Sequence, residues 1–411
     1  MEREQIELGL KYLANEFGEE RVSRAIRLVS SFRVEVPSWI FGAFGGGRFG
    51  DYKPPGYART ICEKLDDASF VHRLTGVTDR IAMHVLWDFS DDGMTYSSKS
   101  AEKVFIEAKN RGLSIGSISP TYFLKNSERG SLSSYDSEIR DKYIEQTVFA
   151  GTVAKDFGCN LVTVWLPDGS LYPGQVELRK ANEHVSYSLE MAREKIDKDV
   201  KILIEYKVFE PGTYSTVLSD WGSAYLIAKQ LGPNNGVLID LGHHHHGVNI
   251  EQIVARLIDD GMMCGFHFNT RYAADDDHAV EPNPEVARIF YELVSGGVVC
   301  NDDPQKNWDF MIDQASGREN RMHAVLHSID SLQLSLAKAA LVDRERLLKY
   351  QRDDEIILAN RFFNNALINA DVRPIVASSR LERNLPVDPI EAYVMSGYQD
   401  KIESHRLLHN E

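Results

Sequence analysis

The sequence predicts an α/β fold, namely a (β/α)8 TIM barrel preceded by helices and followed by a helical extension. From residue 32 onward, eight short apolar segments typical of buried strands alternate with seven segments of helical period. Strands that alternate with helices form parallel sheets, and eight units over about 300 residues favour a closed barrel over an open sheet. In addition, four consecutive predicted strands end in residue types that bind metal ions.

The predicted elements follow in a regular order along the chain. Two amphipathic helices precede the barrel, over 3–15 and 19–31. The predicted strands lie at 32–37, 81–87, 113–117, 161–165, 201–207, 237–240, 263–268 and 309–313. The predicted helices between them lie at 57–75, 98–111, 135–157, 174–196, 219–231, 250–260 and 284–295. Beyond them, 319–370 and 388–407 are predicted as helical and 371–388 as a connector.

These elements group into three predicted regions. N-terminal helices occupy 1–31, the catalytic barrel occupies 32–330, and a C-terminal helical region occupies 331–411. The last region has no obvious catalytic content, so we expect it to pack on the barrel and on a neighbouring subunit.

Composition sets limits on function. The 411 residues are 43% hydrophobic, which is ample for a large core. The net charge of −15 disfavours a nucleic-acid or anionic-membrane partner. Four widely spaced cysteines without a CxxC pair favour buried thiols in a reducing compartment. With no secretory segment and no apolar run that could span a bilayer, we expect a cytoplasmic protein.

The candidate site lies where four predicted strands end. Because the C-terminal ends of barrel strands meet at one face, the side chains there are expected to converge. These residues are Glu205, Asp240, His267 and Asp313. Alternation along a strand places Lys207 on the face of Glu205, and Asn269 on the face of His267.

The candidate ligands are all carboxylates or imidazoles, a set that suits Mn²⁺, Mg²⁺ or Co²⁺ and argues against a thiolate zinc site. The four strand-end residues can form one site, and His243, Asp275 and Asp277, with His267 shared, can form a second. Two adjacent divalent ions would clamp neighbouring substrate oxygens and acidify a bound water. The alternatives are helix caps or ion pairs for the strand-end carboxylates, a solvated turn for 275–277 and an exposed loop for 243–246.

Several motifs resemble those of the L-rhamnose isomerases of the Pseudomonas type, which are relatives of xylose isomerase. The resemblance runs from about residue 30 to about residue 400. The matching motifs are Val36-Pro-Ser-Trp39, Glu63-Lys-Leu-Asp-Asp67, Trp165, Asp168-Gly-Ser, Pro173-Gly-Gln, Glu205-Tyr-Lys207, Tyr214-Ser-Thr-Val, Asp220-Trp-Gly, Asp240-Leu-Gly-His-His244, Gly265-Phe-His-Phe-Asn269, Asp275-Asp-Asp277 and Met311-Ile-Asp-Gln314.

The resemblance implies a (β/α)8 barrel, a homotetramer and two divalent metals per subunit, usually Mn²⁺. It implies that the four strand-end residues bind a structural metal and that His243, Asp275 and Asp277 complete a catalytic one. It also implies that Lys207 contacts the substrate near O1 and that His84, Trp87 and Trp165 line the sugar, with His84 placed for ring opening. Phe49, in a glycine-rich loop, would close a neighbouring subunit's pocket.

Some positions depart from the family pattern and concern the preferred sugar. Thr270-Arg-Tyr272 stands where the family has Asp-Ser-Lys, and the family's two histidines become four at 243–246. The spacing also shifts near Thr121-Tyr-Phe123, which leaves open which aromatic residue meets the substrate.

The expected function is that of a metal-dependent aldose–ketose isomerase with Lys207, Asp313 and His84 as catalytic residues. L-Rhamnose and L-rhamnulose are the expected substrate pair, and D-allose is a further candidate. Hydride shift and enediol routes stay open at this stage. The alternatives are a metal-dependent phosphodiesterase of the endonuclease IV type, which the acidic charge and the missing basic groove oppose, and a sugar-binding protein without catalysis.

Overall fold

The computed structural model describes residues 1–42, 55–210, 212–271, 278–300, 308–315 and 319–407. Eight parallel strands in this part of the chain form a barrel, and helices surround it, so the predicted fold class is confirmed. No helix among these residues is long and apolar enough to cross a membrane.

The barrel strands follow the chain order around the sheet. They are β1 (Val36–Pro37), β2 (Arg80–His84), β3 (Ser114–Ser119), β4 (Leu161–Val164), β6 (Lys201–Glu205), β9 (Asn235–Asp240), β10 (Cys264–Phe268) and β11 (Trp308–Ile312). Three shorter strands, β5 (Gly169–Ser170), β7 (Phe209–Glu210) and β8 (Tyr214–Thr216), form a small antiparallel sheet that the sequence patterns did not predict.

The barrel closes through the backbone of Glu35. Its amide donates to the carbonyl of Phe310 at 2.8 Å, and its carbonyl accepts from the amide of Ile312 at 3.0 Å. The first strand was predicted over 32–37, but the observed strand is shorter, because only residues 36–37 pair with β2. The Glu35 side chain is buried, and its carboxylate is paired with Arg80 at 2.8 Å.

The helices around the barrel begin and end close to the predicted positions. They are α1 (Arg3–Phe17), α2 (Glu19–Ser31), α3 (Ile61–Thr75), α4 (Ser98–Asn110), α5 (Ser137–Phe157), α6 (Leu178–Lys195), α7 (Trp221–Gln230), α8 (Ile250–Asp259) and α9 (Pro284–Ser295). Side-chain oxygens of Thr60, Asp136, Asp220 and Asn283 cap α3, α5, α7 and α9. Such caps satisfy amides that have no partner inside the helix.

The C-terminal region is helical from residue 321 onward. Its helices are α10 (Arg321–Ala340), α11 (Arg344–Arg352), α12 (Ile356–Asn364), α13 (Arg373–Leu381), α14 (Pro389–Met395) and α15 (Tyr398–Leu407). The prediction of a connector over 371–388 was wrong, because α13 occupies much of it and has Pro374 in its first turn, where proline is tolerated. Helix α10 runs through residue 330, the predicted boundary of the barrel.

Candidate active site

The structure brings the four strand-end residues together at the C-terminal face of the barrel. Ligand atoms of Glu205, Asp240, His267 and Asp313 all lie within 4.8 Å of one another. Nδ1 of His267 is 3.2 Å from Glu205 Oε1, 3.7 Å from Asp240 Oδ2 and 3.3 Å from Asp313 Oδ2. The imidazole therefore lies among three carboxylates.

The order of the strands explains this convergence. Strands β6, β9, β10 and β11 are consecutive neighbours in the barrel, and His267 pairs in register with Asp240. Asp313 follows β11 directly, and its amide donates to the carbonyl of Phe268 at 3.0 Å. Parallel neighbours that end at one level present their last side chains to one point.

Neutral donors orient two of the carboxylates. The Asn269 amide donates to both oxygens of Asp240, at 3.0 and 2.9 Å, and its own carbonyl accepts from the amide of Gly242 at 2.7 Å. The indole of Trp39 donates to Asp313 Oδ1 at 2.8 Å. Such outer contacts fix the orientation of ligands around a metal.

His243 adjoins the same cluster. Its Nδ1 lies 3.1 Å from Glu205 Oε1 and 3.9 Å from Asp240 Oδ1, and its amide donates to Asp240 Oδ1 at 3.1 Å. His243 is thus placed beside the four-residue cluster, as a second ligand set would require. Its two predicted partners in that set, Asp275 and Asp277, lie outside the described residues.

The electrostatics are those of a site that holds a cation. Burial alone would raise the pKa of Glu205, but the neighbouring His267 and His243 lower it overall. Burial would likewise lower the pKa of His267, yet the carboxylates of Glu205 and Asp313 raise it well above its usual range. Both shifts have one cause, namely that three carboxylates around one imidazole favour positive charge at this point.

The donor set fits a divalent ion. Ligand atoms that coordinate one ion at about 2.0–2.6 Å lie within about 4–5 Å of one another, as these four do. Buried carboxylates in such a cluster require a cation near them. Carboxylate oxygens with one imidazole suit Mn²⁺, Mg²⁺ or Co²⁺.

The cluster opens onto a cavity of about 260 Å³. Glu205, His267 and Asp313 form one side of it. The other sides are lined by Trp39, His84, Trp87, Ser119, Pro120, Phe123, Thr163, Trp165, Lys207 and Ala315. The site therefore joins a floor of carboxylates and one imidazole to a largely aromatic wall.

The aromatic wall is a connected set of rings. Trp87 and Phe123 lie 5.0 and 5.7 Å from the ring of His84, and the ring of Phe123 lies 5.7 Å from Trp165. Of the two aromatic residues at 122–123, Phe123 lines the cavity, whereas Tyr122 is buried and hydrogen-bonded to Thr147. Trp87 has φ +77°, an unusual conformation for a bulky residue and one that is common at functional sites.

Lys207 lies at the edge of the cavity with its ammonium group held by neighbours. Its Nζ is 3.5 Å from Glu210 Oε1 and 5.6 Å from the centre of the Trp165 ring. Glu210 belongs to the small antiparallel sheet, so this sheet helps to place the lysine. The cavity is lined by Trp87, Trp165, His84 and Lys207, the residues expected around the sugar, whereas Phe49 lies outside the described residues.

The sequence matches the model of a known family over residues 79–297, described as xylose isomerase-like TIM barrel. The chain belongs to this family. This xylose isomerase-like chain is 35% identical over 384 residues to a probable sugar isomerase of Rhizobium meliloti. The alignment covers 92% of this chain and 87% of the relative. A probable sugar isomerase of Mesorhizobium japonicum is 34% identical over 383 residues, with the same coverage of both chains.

Solved structures also resemble this xylose isomerase-like barrel. The structure of an L-ribulose 3-epimerase matches with a TM-score of 0.51 and 15% identity, and the match covers 79% of this chain and 98% of the epimerase chain. A xylose isomerase domain protein from Alicyclobacillus acidocaldarius matches with a TM-score of 0.50 and 13% identity, covering 75% of this chain and 99% of its own. At these identities the likeness concerns the fold.

Sequence reasoning missed two polar residues behind the cavity wall. Asp88 is buried and accepts hydrogen bonds from Lys64 Nζ at 2.9 Å, Ser38 Oγ at 2.5 Å and the amide of His84 at 2.7 Å. Thr121 Oγ1 lies 2.7 Å from Nδ1 of His84. Neither residue ends a predicted strand, and apart from the His84 amide, which bonds Asp88, their partners are distant in sequence, so no local pattern marks them.

Proposed function

We propose that this protein is a metal-dependent aldose–ketose isomerase that interconverts L-rhamnose and L-rhamnulose, with D-allose as a further candidate aldose. The observation that supports it most strongly is a four-ligand cluster that opens onto a sugar-sized cavity. The two sugar isomerase relatives, each aligned over 92% of this chain, support the same reaction class.

The lining of the cavity supports a deoxysugar as substrate. An ordinary aldohexose ends in a hydroxymethyl group, whereas L-rhamnose, a 6-deoxyhexose, ends in a methyl group. The wall formed by Trp87, Phe123 and Trp165 offers apolar contact to such an end, and the carboxylate side offers ligands for an ion that holds the sugar's oxygens. The sugar would therefore lie with its carbonyl end toward Glu205 and Asp313.

We propose two divalent ions per subunit, Mn²⁺ in the native protein. Glu205, Asp240, His267 and Asp313 would hold the first, and His243, Asp275 and Asp277 would hold the second. When bound, such ions polarise a carbonyl and acidify a hydroxyl or water. We expect the second set to exchange its ion more readily, because Asp275 and Asp277 follow two alanines in a predicted loop rather than a strand end.

The protein's own residues would position the sugar and its protons. Lys207, beside Trp165 and Glu210, would donate a hydrogen bond to O1. Asp313, oriented by the indole of Trp39, is the carboxylate that an enediol route would use as base. His84 would contact the sugar from the opposite wall. An aldose deuterated at C2 separates the routes, because a hydride shift retains the label and a proton route exchanges it with water.

We also propose a homotetramer in the cytoplasm. Helix α12 begins with Ile356, Ile357 and Leu358, whose side chains are 61%, 76% and 45% exposed. Three consecutive exposed apolar residues at a helix surface favour subunit contact. Light scattering on the purified protein tests the assembly.

A panel of aldoses tests the proposed function. Apo-protein prepared with EDTA is assayed for ketose formation with and without Mn²⁺ or Co²⁺, using L-rhamnose, D-allose and D-xylose. We expect no turnover without metal and the highest kcat/KM on L-rhamnose with it. The same samples are tested on abasic DNA, because a phosphodiesterase is the alternative on this fold. Among the described residues, Lys207 is the single lysine or arginine that lines the cavity, and this offers little positive charge for a phosphate. Full activity in metal-free protein, or turnover of DNA alone, would refute the proposal.

A further inference from the structure

The hydrogen bonds around His84 determine which of its ring nitrogens carries the proton. The hydroxyl oxygen of Thr121 lies 2.7 Å from His84 Nδ1 and accepts from the amide of Leu86 at 3.1 Å. A threonine hydroxyl has one proton to donate and two lone pairs. The amide of Leu86 occupies one lone pair, which leaves the hydroxyl proton and the second lone pair of Thr121 for other partners.

His84 Nδ1 is the acceptor for that proton. Thr121 is fully buried, and among the described residues no other acceptor is within hydrogen-bond distance of its hydroxyl. If Nδ1 were protonated instead, the hydroxyl proton would have no acceptor in a buried place, which is energetically costly. The arrangement in which Leu86 donates to Thr121 and Thr121 donates to His84 satisfies every group.

The surroundings keep the imidazole neutral. The ring lies among Trp39, Trp87 and Phe123, at 5.7, 5.0 and 5.7 Å between ring centres. The charged groups nearby are Lys64 and Asp88, and Asp88 accepts from the His84 backbone amide and from Lys64. Burial, aided by the charge of Lys64, lowers the pKa of His84 to about 3.

We infer that Thr121 is a positioning residue that fixes His84 as the neutral tautomer with its proton on Nε2, so that the histidine presents an N–H donor to the cavity. This inference rests on the proposed function for its consequence. His84 then donates to a lone pair of a sugar oxygen, and the ring oxygen and the open-chain carbonyl are suitable acceptors. It does not accept a proton from a sugar hydroxyl at that nitrogen.

Thr121 itself is held rigidly, as a positioning residue should be. Its amide donates to Gln146 Oε1 at 2.5 Å, and the Gln146 amide group donates to the carbonyl of Gly93 at 2.5 Å. Helix α5 thereby anchors the segment that follows β3. The tautomer of His84 is thus connected to the packing of a helix outside the barrel.

The tautomer is tested by ¹⁵N spectroscopy of histidine-labelled protein. The His84 ring signals are assigned by comparison with His84→Asn. We expect a protonated Nε2 and an unprotonated, hydrogen-bonded Nδ1 in the wild type and in Thr121→Ser, which keeps the hydroxyl. In Thr121→Val we expect loss of this single tautomer. Thr147→Val is the matched control, because it removes a buried hydroxyl that bonds Tyr122, and it should leave the His84 signals unchanged.

Kinetics give a second, separate readout. Thr121→Val should lower kcat/KM by roughly tenfold, the effect of about one lost hydrogen bond, and Thr121→Ser should restore most of it. A protonated Nδ1 in the wild type, or the same tautomer in Thr121→Val, would overturn the inference whatever the substrate. Failure of the aldose panel would refute the proposed function and leave the spectroscopic result standing, so the two failures are distinguishable.

Discussion

His84 should make the folded protein lose stability as the pH falls below neutrality. Its pKa is lowered to about 3 in the folded chain, against 6.5 for an unperturbed histidine. The unfolded chain therefore binds a proton below pH 6.5 that the folded chain binds only near pH 3. Stability from the neutral imidazole is fully present above pH 6.5 and is lost progressively as the pH falls toward 3.

The magnitude follows from the two pKa values. Between them, each pH unit changes the free energy of unfolding by about 1.4 kcal/mol for one proton. Going from pH 7 to pH 5 crosses about 1.5 units below the unfolded value, so His84 should account for a loss of about 2 kcal/mol. His84→Asn removes the titrating group while its amide oxygen can still accept from Thr121, so this variant should lack that part of the loss.

The assay is urea unfolding of the wild type and His84→Asn at pH 7 and pH 5, in EDTA, at one protein concentration. The quantity compared is the change in unfolding free energy between the two pH values. The exposed His246 provides the control, because His246→Asn should behave like the wild type. Equal pH dependence in the wild type and His84→Asn would refute the reasoning, since it would mean that His84 binds its proton equally in both states.

Three other predictions concern the second metal, the covering loop and the cavity wall. Replacing Asp275 and Asp277 with Asn should leave about one metal per chain and intact sugar binding by calorimetry, while kcat falls by orders of magnitude; a near-normal kcat would show that they are a solvated turn. Phe49→Ala should raise KM for sugars with an apolar end more than for others, at unchanged metal content, and a uniform effect would contradict a covering role. Lys64→Met should lower the free energy of unfolding by about 3 kcal/mol in urea titrations, because Asp88 loses its ion-pair partner and both side chains are buried, at 7% and 0% exposed. Lys155→Met is the control and should have little effect, because the ion pair of Lys155 is solvated.

The sequence predicted the barrel and the convergence of the carboxylate and imidazole side chains at its C-terminal face for one physical reason. A barrel strand carries a continuous apolar run, and the polar residue that ends it is easily identified, as with Glu205 and Asp240. When such residues end consecutive strands, their convergence follows from the fold. The same logic placed His267 and Asp313.

The details that it could not predict depend on contacts between distant segments. Asp88 follows a tryptophan with positive φ, and its donors come from Lys64, Ser38 and its own turn, which no periodicity relates. The first strand was predicted too long, because the backbone of Glu35 pairs with β11, which is adjacent in the barrel but about 275 residues away in sequence. Residues 371–388 were predicted as a connector, but α13 begins there with Pro374 in its first turn, where proline is tolerated.

The closure of the barrel through Glu35 has a consequence for the time course of biosynthesis. Chains are synthesised from the N-terminus, so the backbone groups of Glu35 have no hydrogen-bond partners in β11 until Phe310 and Ile312 have been synthesised. Asp313, the last ligand of the cluster, comes immediately after those residues. When Glu205, Asp240 and His267 have left the ribosome, the barrel is still open and the cluster still lacks Asp313. The same few residues, 310–313, complete both. Capture of the proposed metal ion at this cluster should therefore follow release of β11 from the ribosome, which makes it a late event in maturation.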